Sequence, residues 1–204
     1  MTRIAIIDHG AGNLVSISEG LDRAGAETSI ATEPRMLEGA DAVVLPGVGS
    51  SGAAMRRLTE SGLDEALLEW EGPLLGICVG LQLFFGDSEE AGTAGLQMLD
   101  GPVRKLQAVR LPHMGWNDVA MSADPVFDGV PDATPFYFVH SYAPEPEDAS
   151  TVIGTTDYAG QRFVAAVRSG AIVGVQFHPE RSGRRGMQVL ANFVDSCRTA
   201  NRAA

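Results

Sequence analysis

The stretch Pro73-Leu74-Leu75-Gly76-Ile77-Cys78-Val79-Gly80-Leu81-Gln82-Leu83-Phe84-Phe85 decides how the chain is read. Leu74 to Ile77 is a short apolar run bounded by proline and glycine, the signature of a buried parallel strand. It passes directly into Gly76-Ile77-Cys78-Val79-Gly80, a G-x-C-x-G pattern, and then into a helical apolar run predicted to end near Gly86. This is the cysteine form of the G-x-S-x-G elbow. Glycines on both sides let the chain turn sharply from strand to helix and present the middle residue at the carboxyl end of a sheet. A thiol at that point sits at a helix N-terminus, where the macrodipole and free N–H groups favour thiolate. The competing reading is a buried structural cysteine, a common fate of the residue.

Upstream, Arg3–Asp8 reads as a first strand, Gly10-Ala11-Gly12-Asn13 as a glycine-rich turn, and Leu14–Ala24 as a helix stopped by Gly25. Gly10-Ala11-Gly12 lacks the third glycine of a dinucleotide fingerprint. Glu27–Ala31 and Ala40–Leu45 are further strands. The latter ends in Pro46-Gly47-Val48-Gly49-Ser50-Ser51-Gly52, a loop that exposes the backbone N–H groups an oxyanion site requires, or else an ordinary strand-to-helix turn. Ala53–Trp70 is helical, with a break near Gly62, and the elbow helix gives way to an acidic turn, Asp87-Ser88-Glu89-Glu90.

This alternation predicts an α/β fold, an open, mostly parallel, doubly wound sheet with helices on both faces. Past Ala91, short apolar runs at 101–109, 117–120, 135–142, 151–158, 161–169 and 171–177 predict added antiparallel strands, with Gly170 in a tight hairpin turn. Arg184–Asn201 closes the chain as an amphipathic helix with Met187, Leu190, Ala191 and Val194 on one face. Without repeats, low-complexity tracts or a linker, residues 1–204 are expected to form a single domain.

Bulk properties narrow the function. A net charge of −11 argues against a nucleic-acid-binding surface. Two cysteines, Cys78 and Cys197, are too few for a disulfide framework, and a nucleophilic Cys78 must be reduced, which suits the cytoplasm. Neither a signal peptide nor a membrane-spanning run is read, so no membrane partner is expected. Among the 15 basic residues only Lys105 is lysine, a bias with no evident physical cause.

A thiolate nucleophile needs a base, and His178 is placed best. It follows the strand-like run Val173–Phe177 and precedes Pro179 and Glu180. Proline fixes the turn, and the carboxylate can hold the imidazole N–H, setting tautomer and orientation. Cys78, His178 and Glu180 are therefore the candidate catalytic residues. His9, His113 and His140 are read as structural or substrate-adjacent, and no pair of histidines has metal-ligand spacing.

The motifs Gly76–Gln82 and Gln176–Glu180 resemble those of class I (triad-type) glutamine amidotransferases. Asp8–Leu14, Pro112-His113-Met114-Gly115-Trp116-Asn117 and Phe138–Tyr142 narrow the likeness to the glutaminase subunits of imidazole glycerol phosphate synthases. The resemblance runs the length of the chain in order. Val79 and Leu81 stand where Leu and Met are common, and His9 where Tyr is frequent.

The resemblance implies hydrolysis of glutamine to glutamate and ammonia through a γ-glutamyl thioester on Cys78, with no cofactor and no metal. Backbone N–H groups at Val48 and Val79 are then the oxyanion donors. Gly47, Gly49, Gln82, Ser141 and Tyr142 become the glutamine contacts. The implied partner is a (β/α)8-barrel cyclase subunit, forming a heterodimer, with Asn13 and Trp116 at the interface. There, tunnelled ammonia reacts with phosphoribulosylformimino-aminoimidazole-carboxamide ribonucleotide, giving imidazole glycerol phosphate and aminoimidazole carboxamide ribotide. Another amidotransferase glutaminase, a stand-alone cysteine hydrolase and a non-catalytic binding module remain alternatives.

Overall fold

The computed structural model describes residues 1–90 and 94–203, with side chains through Thr199. Its strands are β1 (Thr2–Ile7), β2 (Ala26–Ala31), β3 (Ala42–Leu45), β4 (Leu74–Ile77), β5 (Val103–Lys105), β6 (His113–Met121), β7 (Thr134–His140), β8 (Tyr142–Pro144), β9 (Val152–Tyr158), β10 (Gln161–Ser169) and β11 (Ile172–Val175). The α-helices are α1 (Leu14–Arg23), α2 (Ser51–Ser61), α3 (Leu63–Leu68), α4 (Val79–Gln82) and α5 (Gly183–Ala203). One nine-stranded sheet runs in the order β2-β1-β3-β4-β11-β10-β9-β6-β7, while β5 and β8 form a separate pair. From β2 to β11 the neighbours are parallel, and from β11 to β7 antiparallel. The α/β class is as expected.

Strand β11 joins the two halves. It pairs in parallel with β4, with Val175 beside Ile77, so whatever follows β11 emerges next to whatever follows β4. Both are buried on both faces, which is why their sequences are continuously apolar. Chain order reverses between β1 and β3, and sheets of this type place their ligand crevice at such a reversal, outside the carboxyl ends of the strands.

Several boundaries differ from the sequence reading, and the run 101–109 yields only β5, paired with β8 rather than added to the large sheet. The elbow helix α4 ends at Gln82 rather than Gly86, because the carbonyls of Leu83, Phe84 and Gly86 accept hydrogen bonds from Gly95, Leu96, Met98 and Leu99 instead of continuing the helix. Strand β6 begins at His113, four residues before the run 117–120. The run 135–142 is divided between β7 and β8. In α5 the buried stripe is Val189, Leu190, Phe193, Val194 and Cys197, with Met187 and Ala191 only half-buried at its margin. Gly20 allows α1 and α5 to close, since a Cβ there would stand 2.8 Å from Leu190 Cδ1.

Candidate active site

The elbow is built by close packing. A Cβ on Gly80 would lie 1.7 Å from the Leu45 carbonyl oxygen, and one on Gly76 would meet the Phe84 ring at 2.5 Å. Neither glycine has positive φ. The turn's unusual backbone falls on the candidate nucleophile itself, Cys78, at φ 54° and ψ −107°. A non-glycine residue in such a region costs about 1–3 kcal/mol and persists where its surroundings enforce it. Here Cys78 N–H donates to Val175 O at 2.8 Å, locking the bend to β11.

The thiol is nearly buried, with Sγ 3.8 Å from Val139 O and 3.5 Å from Gln176 Nε2. Because α4 is a single turn, its dipole is a small contribution. The groups directed at the sulfur are instead the Gln176 N–H and the His178 ring. Gln82 Nε2 donates both to Tyr142 O at 2.8 Å and to Gln176 Oε1 at 3.0 Å, so the elbow, β8 and Gln176 form one hydrogen-bonded chain ending at the sulfur.

His178 lies just past β11, its N–H bonded to Tyr137 O at 2.8 Å and its carbonyl accepting from Ser182 Oγ at 2.6 Å. Its Nδ1 is 2.8 Å from Glu180 Oε1. A carboxylate oxygen accepts, so Nδ1 carries hydrogen and Nε2 is the atom left to face Cys78. Nε2 makes no completed hydrogen bond at rest, yet the sulfur is close enough to stabilise the charged ring. Burial opposes the imidazolium, but hydrogen bonding and charge from Cys78 and Glu180 outweigh it and lift the His178 pKa to about 10. Glu180 is 1% exposed in its side chain and leaves Oε2 unpaired, so the ring's positive charge is its main compensation.

The His178 shift ties stability to pH. The contribution is fully present below the ordinary histidine value of 6.5 and is lost as pH rises through about 10. Thermal unfolding followed from pH 7 to 10 is expected to show a falling midpoint that Glu180→Gln flattens. An unchanged slope in that variant contradicts the ion pair.

Gly49, Cys78, Val79, Gln82, Ser141 and Tyr142, all anticipated, line one cleft of about 210 Å³ together with Glu90, Pro112, Val139 and His140. Gly47 packs on the elbow, where a Cβ would meet Val79 Cβ at 2.7 Å. Val48 is 37% exposed at the tip of the same segment. The Val79 N–H, an expected oxyanion donor, points to Gly47 O at 3.4 Å. At rest this donor is occupied, by a long bond.

Of the wall residues, Glu90 escapes the sequence reading, whereas His140, read as structural or substrate-adjacent, takes a defined place in the wall. Glu90, there only part of an acidic turn, accepts from Ser51 N at 2.6 Å and Ser51 Oγ at 2.7 Å while facing the cleft. His140 donates from Nδ1 to Tyr142 O at 2.8 Å, fixing the Ser141–Tyr142 wall. Burial depresses its pKa to about 3, so it is neutral. Its Nε2 then accepts from His113 Nδ1 at 3.3 Å, and His113 stacks on Tyr158 with centroids 4.0 Å apart. His113 is also shifted down by burial, so this histidine pair is a neutral packing unit.

The two expected interface residues lie outside the cleft. Asn13 caps α1, its Oδ1 accepting from Ser16 N at 3.3 Å. Trp116 is 55% exposed on the outer face of β6, edge-on to Tyr137, over whose ring Arg181 stacks at 4.3 Å. Cys197 is buried in α5, its thiol bonded to Phe193 O, and burial pushes its pKa up to about 12. No helix among the described residues is long and apolar enough to cross a membrane.

The sequence matches the model of the class-I glutamine amidotransferase family over residues 5–197. The imidazole glycerol phosphate synthase subunit HisH of Moorella thermoacetica is 47% identical, over 100% of this chain and 99% of that one. The protein of the same name from Xylella fastidiosa (strain 9a5c) is 45% identical, over 96% and 98% respectively. Among solved structures, a putative GMP synthase subunit from Thermoplasma acidophilum aligns with TM-score 0.81 over 100% of this chain and 97% of that one, a likeness of fold alone at 22% identity. The chain belongs to the class-I glutamine amidotransferase family, among its imidazole glycerol phosphate synthase subunit HisH members.

Proposed function

We propose that the chain is a glutaminase that releases ammonia from glutamine through Cys78, His178 and Glu180. It delivers that ammonia to a barrel cyclase subunit of imidazole glycerol phosphate synthase in histidine biosynthesis. The observation that carries the catalytic reading is the Glu180–His178 contact at 2.8 Å, which leaves Nε2 turned to an elbow cysteine whose backbone is strained.

The chemistry follows from those atoms. The Cys78 thiolate attacks the side-chain amide carbon of glutamine, and negative charge gathers on the carbonyl oxygen. His178 gives its proton to the departing nitrogen as the C–N bond breaks, leaving a γ-glutamyl thioester and ammonia. Forming the thioester removes the sulfur's charge, one of the influences that hold the His178 pKa high, so the ring becomes a better acid when it must release the proton. The neutral ring then takes a proton from water, hydroxide adds to the thioester, and collapse returns glutamate and the thiolate–imidazolium pair. Glu180 holds the tautomer throughout. In the cleft, Glu90 offers a carboxylate to the substrate's α-ammonium group, and the backbone of Ser141 and Tyr142 faces its carboxylate end.

The oxyanion donors are Val79 N–H and, after a turn of the Gly47–Val48 peptide, Val48 N–H. With Gly47 O resting on Val79 N–H, the free subunit holds its hole closed, which suits an enzyme whose ammonia is useful only when a partner is docked. The outer stripe of β6, Met114 at 63% and Trp116 at 55% exposure, supplies a docking face. Met114 is registered beside Val139, whose carbonyl contacts the thiol, so this face adjoins the cleft mouth.

The test is a glutaminase assay on the chain alone and with the barrel subunit and its nucleotide substrate. Ammonia release is expected to be low alone and stimulated in the complex, and Trp116→Ala is expected to weaken association by about tenfold or more. Equal activity with and without the partner contradicts the closed-hole account.

A further inference from the structure

The segment Pro46–Ser51, which links β3 to α2, is gripped at both ends by side chains from distant parts of the chain. At its far end Glu90 acts as the cap that Ser50 does not provide, accepting from Ser51 N–H and Oγ. At its near end His9 Nε2 lies 2.6 Å from Pro46 O. A carbonyl only accepts, so Nε2 carries a hydrogen. Nδ1 has no partner, and His9 is 2% exposed. The buried imidazole is thus oriented with its Nε2–H on Pro46 O. Its own main chain is held in turn, because Arg57 of α2 donates to His9 O at 3.1 Å and packs against Gly10.

The consequence concerns which peptide can move. The Pro46–Gly47 peptide is planar, so holding its carbonyl fixes the whole plane up to the Gly47 Cα. Gly47 itself cannot slide along the elbow, since it sits against Val79 and the Gly80 N–H. The Gly47–Val48 peptide, anchored by the 3.4 Å bond to Val79 N–H, is the next unit and the weakly held one. Turning about Gly47 ψ and Val48 φ lifts Gly47 O off Val79 N–H and brings Val48 N–H toward the substrate.

We propose that His9 is a positioning residue for the oxyanion hole: its N–H holds the Pro46–Gly47 plane still, so that the Gly47–Val48 peptide turns alone and aims Val48 N–H at the developing oxyanion. The proposal rests on the glutaminase reading. His9 touches neither substrate nor nucleophile. Its effect belongs in the transition state, where the aimed N–H matters, and not in ground-state binding of glutamine.

The experiment is steady-state glutaminase kinetics of the complex with the barrel subunit and its nucleotide substrate, with melting temperatures measured in parallel. His9→Leu is expected to lower kcat by about tenfold, with KM within about twofold, a partial form of the loss seen when an oxyanion donor is removed. His9→Gln, whose amide N–H reaches the place of Nε2, is expected to keep kcat within about threefold of wild type, while the shorter His9→Asn resembles the leucine variant. Should His9→Leu fail to fold, the Gln and Asn pair decides, both being polar and of similar bulk. An unchanged kcat in His9→Leu or Asn, an equal loss in His9→Gln, a loss confined to KM, or a gain in activity without the partner overturns the proposal. An inactive wild-type complex overturns the glutaminase reading itself, whereas an active wild type with an indifferent His9 overturns this inference alone.

Discussion

Replacing Cys78 with alanine is expected to reduce ammonia release from glutamine by about 10⁴-fold or more while leaving the fold intact. The residue is nearly buried, but alanine keeps the Cβ that the bend requires and removes one sulfur atom. The lost contacts, to Val139 O and Gln176 Nε2, are long. Alanine is also no worse than cysteine at φ 54°. The variant therefore separates chemistry from structure. Without the sulfur no thioester forms, and the remaining hydrogen-bond donors have no covalent intermediate to stabilise. The His178 pKa is expected to fall at the same time, because the nearby sulfur is among its supports. Activity within tenfold of wild type means that another group attacks the amide. An altered melting profile without loss of activity means that Cys78 is structural.

Gly80→Ala is expected to have the opposite character, destroying structure first. The added Cβ would stand 1.7 Å from the carbonyl oxygen of Leu45, in the centre of the parallel half of the sheet. Main chain has to move, and either β3 separates from the elbow or the elbow opens. Overpacking against backbone belongs to the small class of substitutions that cost about 4 kcal/mol or more. The variant is expected to be insoluble or to melt far below wild type, and any folded fraction to be inactive, because the same shift moves Gly47 and the proposed oxyanion segment. Wild-type stability in Gly80→Ala contradicts the close approach of β3 and the elbow.

The parts of the fold that are legible in the sequence share a property: their local pattern and tertiary setting agree. Leu74–Ile77 is apolar because both faces of β4 are buried, and the pattern gives its bounds to the residue. Gly62 reads as a break because a left-handed residue, here at φ 73°, ends α2. Where pattern and setting conflict, reading fails. Strand β6 points His113 and Asn117 inward and Met114 and Trp116 outward, the reverse of a half-buried strand, so only 117–120 stands out. The inversion has a cause, since the inner face is a stack of His113 with Phe138 and Tyr158, and the outer apolar stripe is the proposed docking face.

The site is legible in the same uneven way. The motif residues come together in one place, Cys78 and His178 because β4 and β11 are neighbours. The support around them is not legible. Glu90 grips Ser51 across 39 positions and His9 grips Pro46 across 37, and no local spacing encodes such contacts. The glycines of the elbow read as turn-formers, whereas packing requires them and Cys78 bears the turn. Both misreadings arise because a close approach between strands is invisible until the strands are placed.

The central claim, that Cys78 is the atom donor to a covalent glutamyl intermediate, is tested most directly by a glutamine-shaped electrophile, a diazoketone analogue of the amino acid. After exposure of the complex to the analogue, peptide mass mapping locates the adduct. The account predicts one adduct per chain, on Cys78, prevented by excess glutamine and lost in His178→Ala. Cys197, with its thiol buried and its pKa pushed up to about 12, stays unmodified. An adduct on Cys197 alone, or none on Cys78 in a complex that still releases ammonia from glutamine, contradicts it.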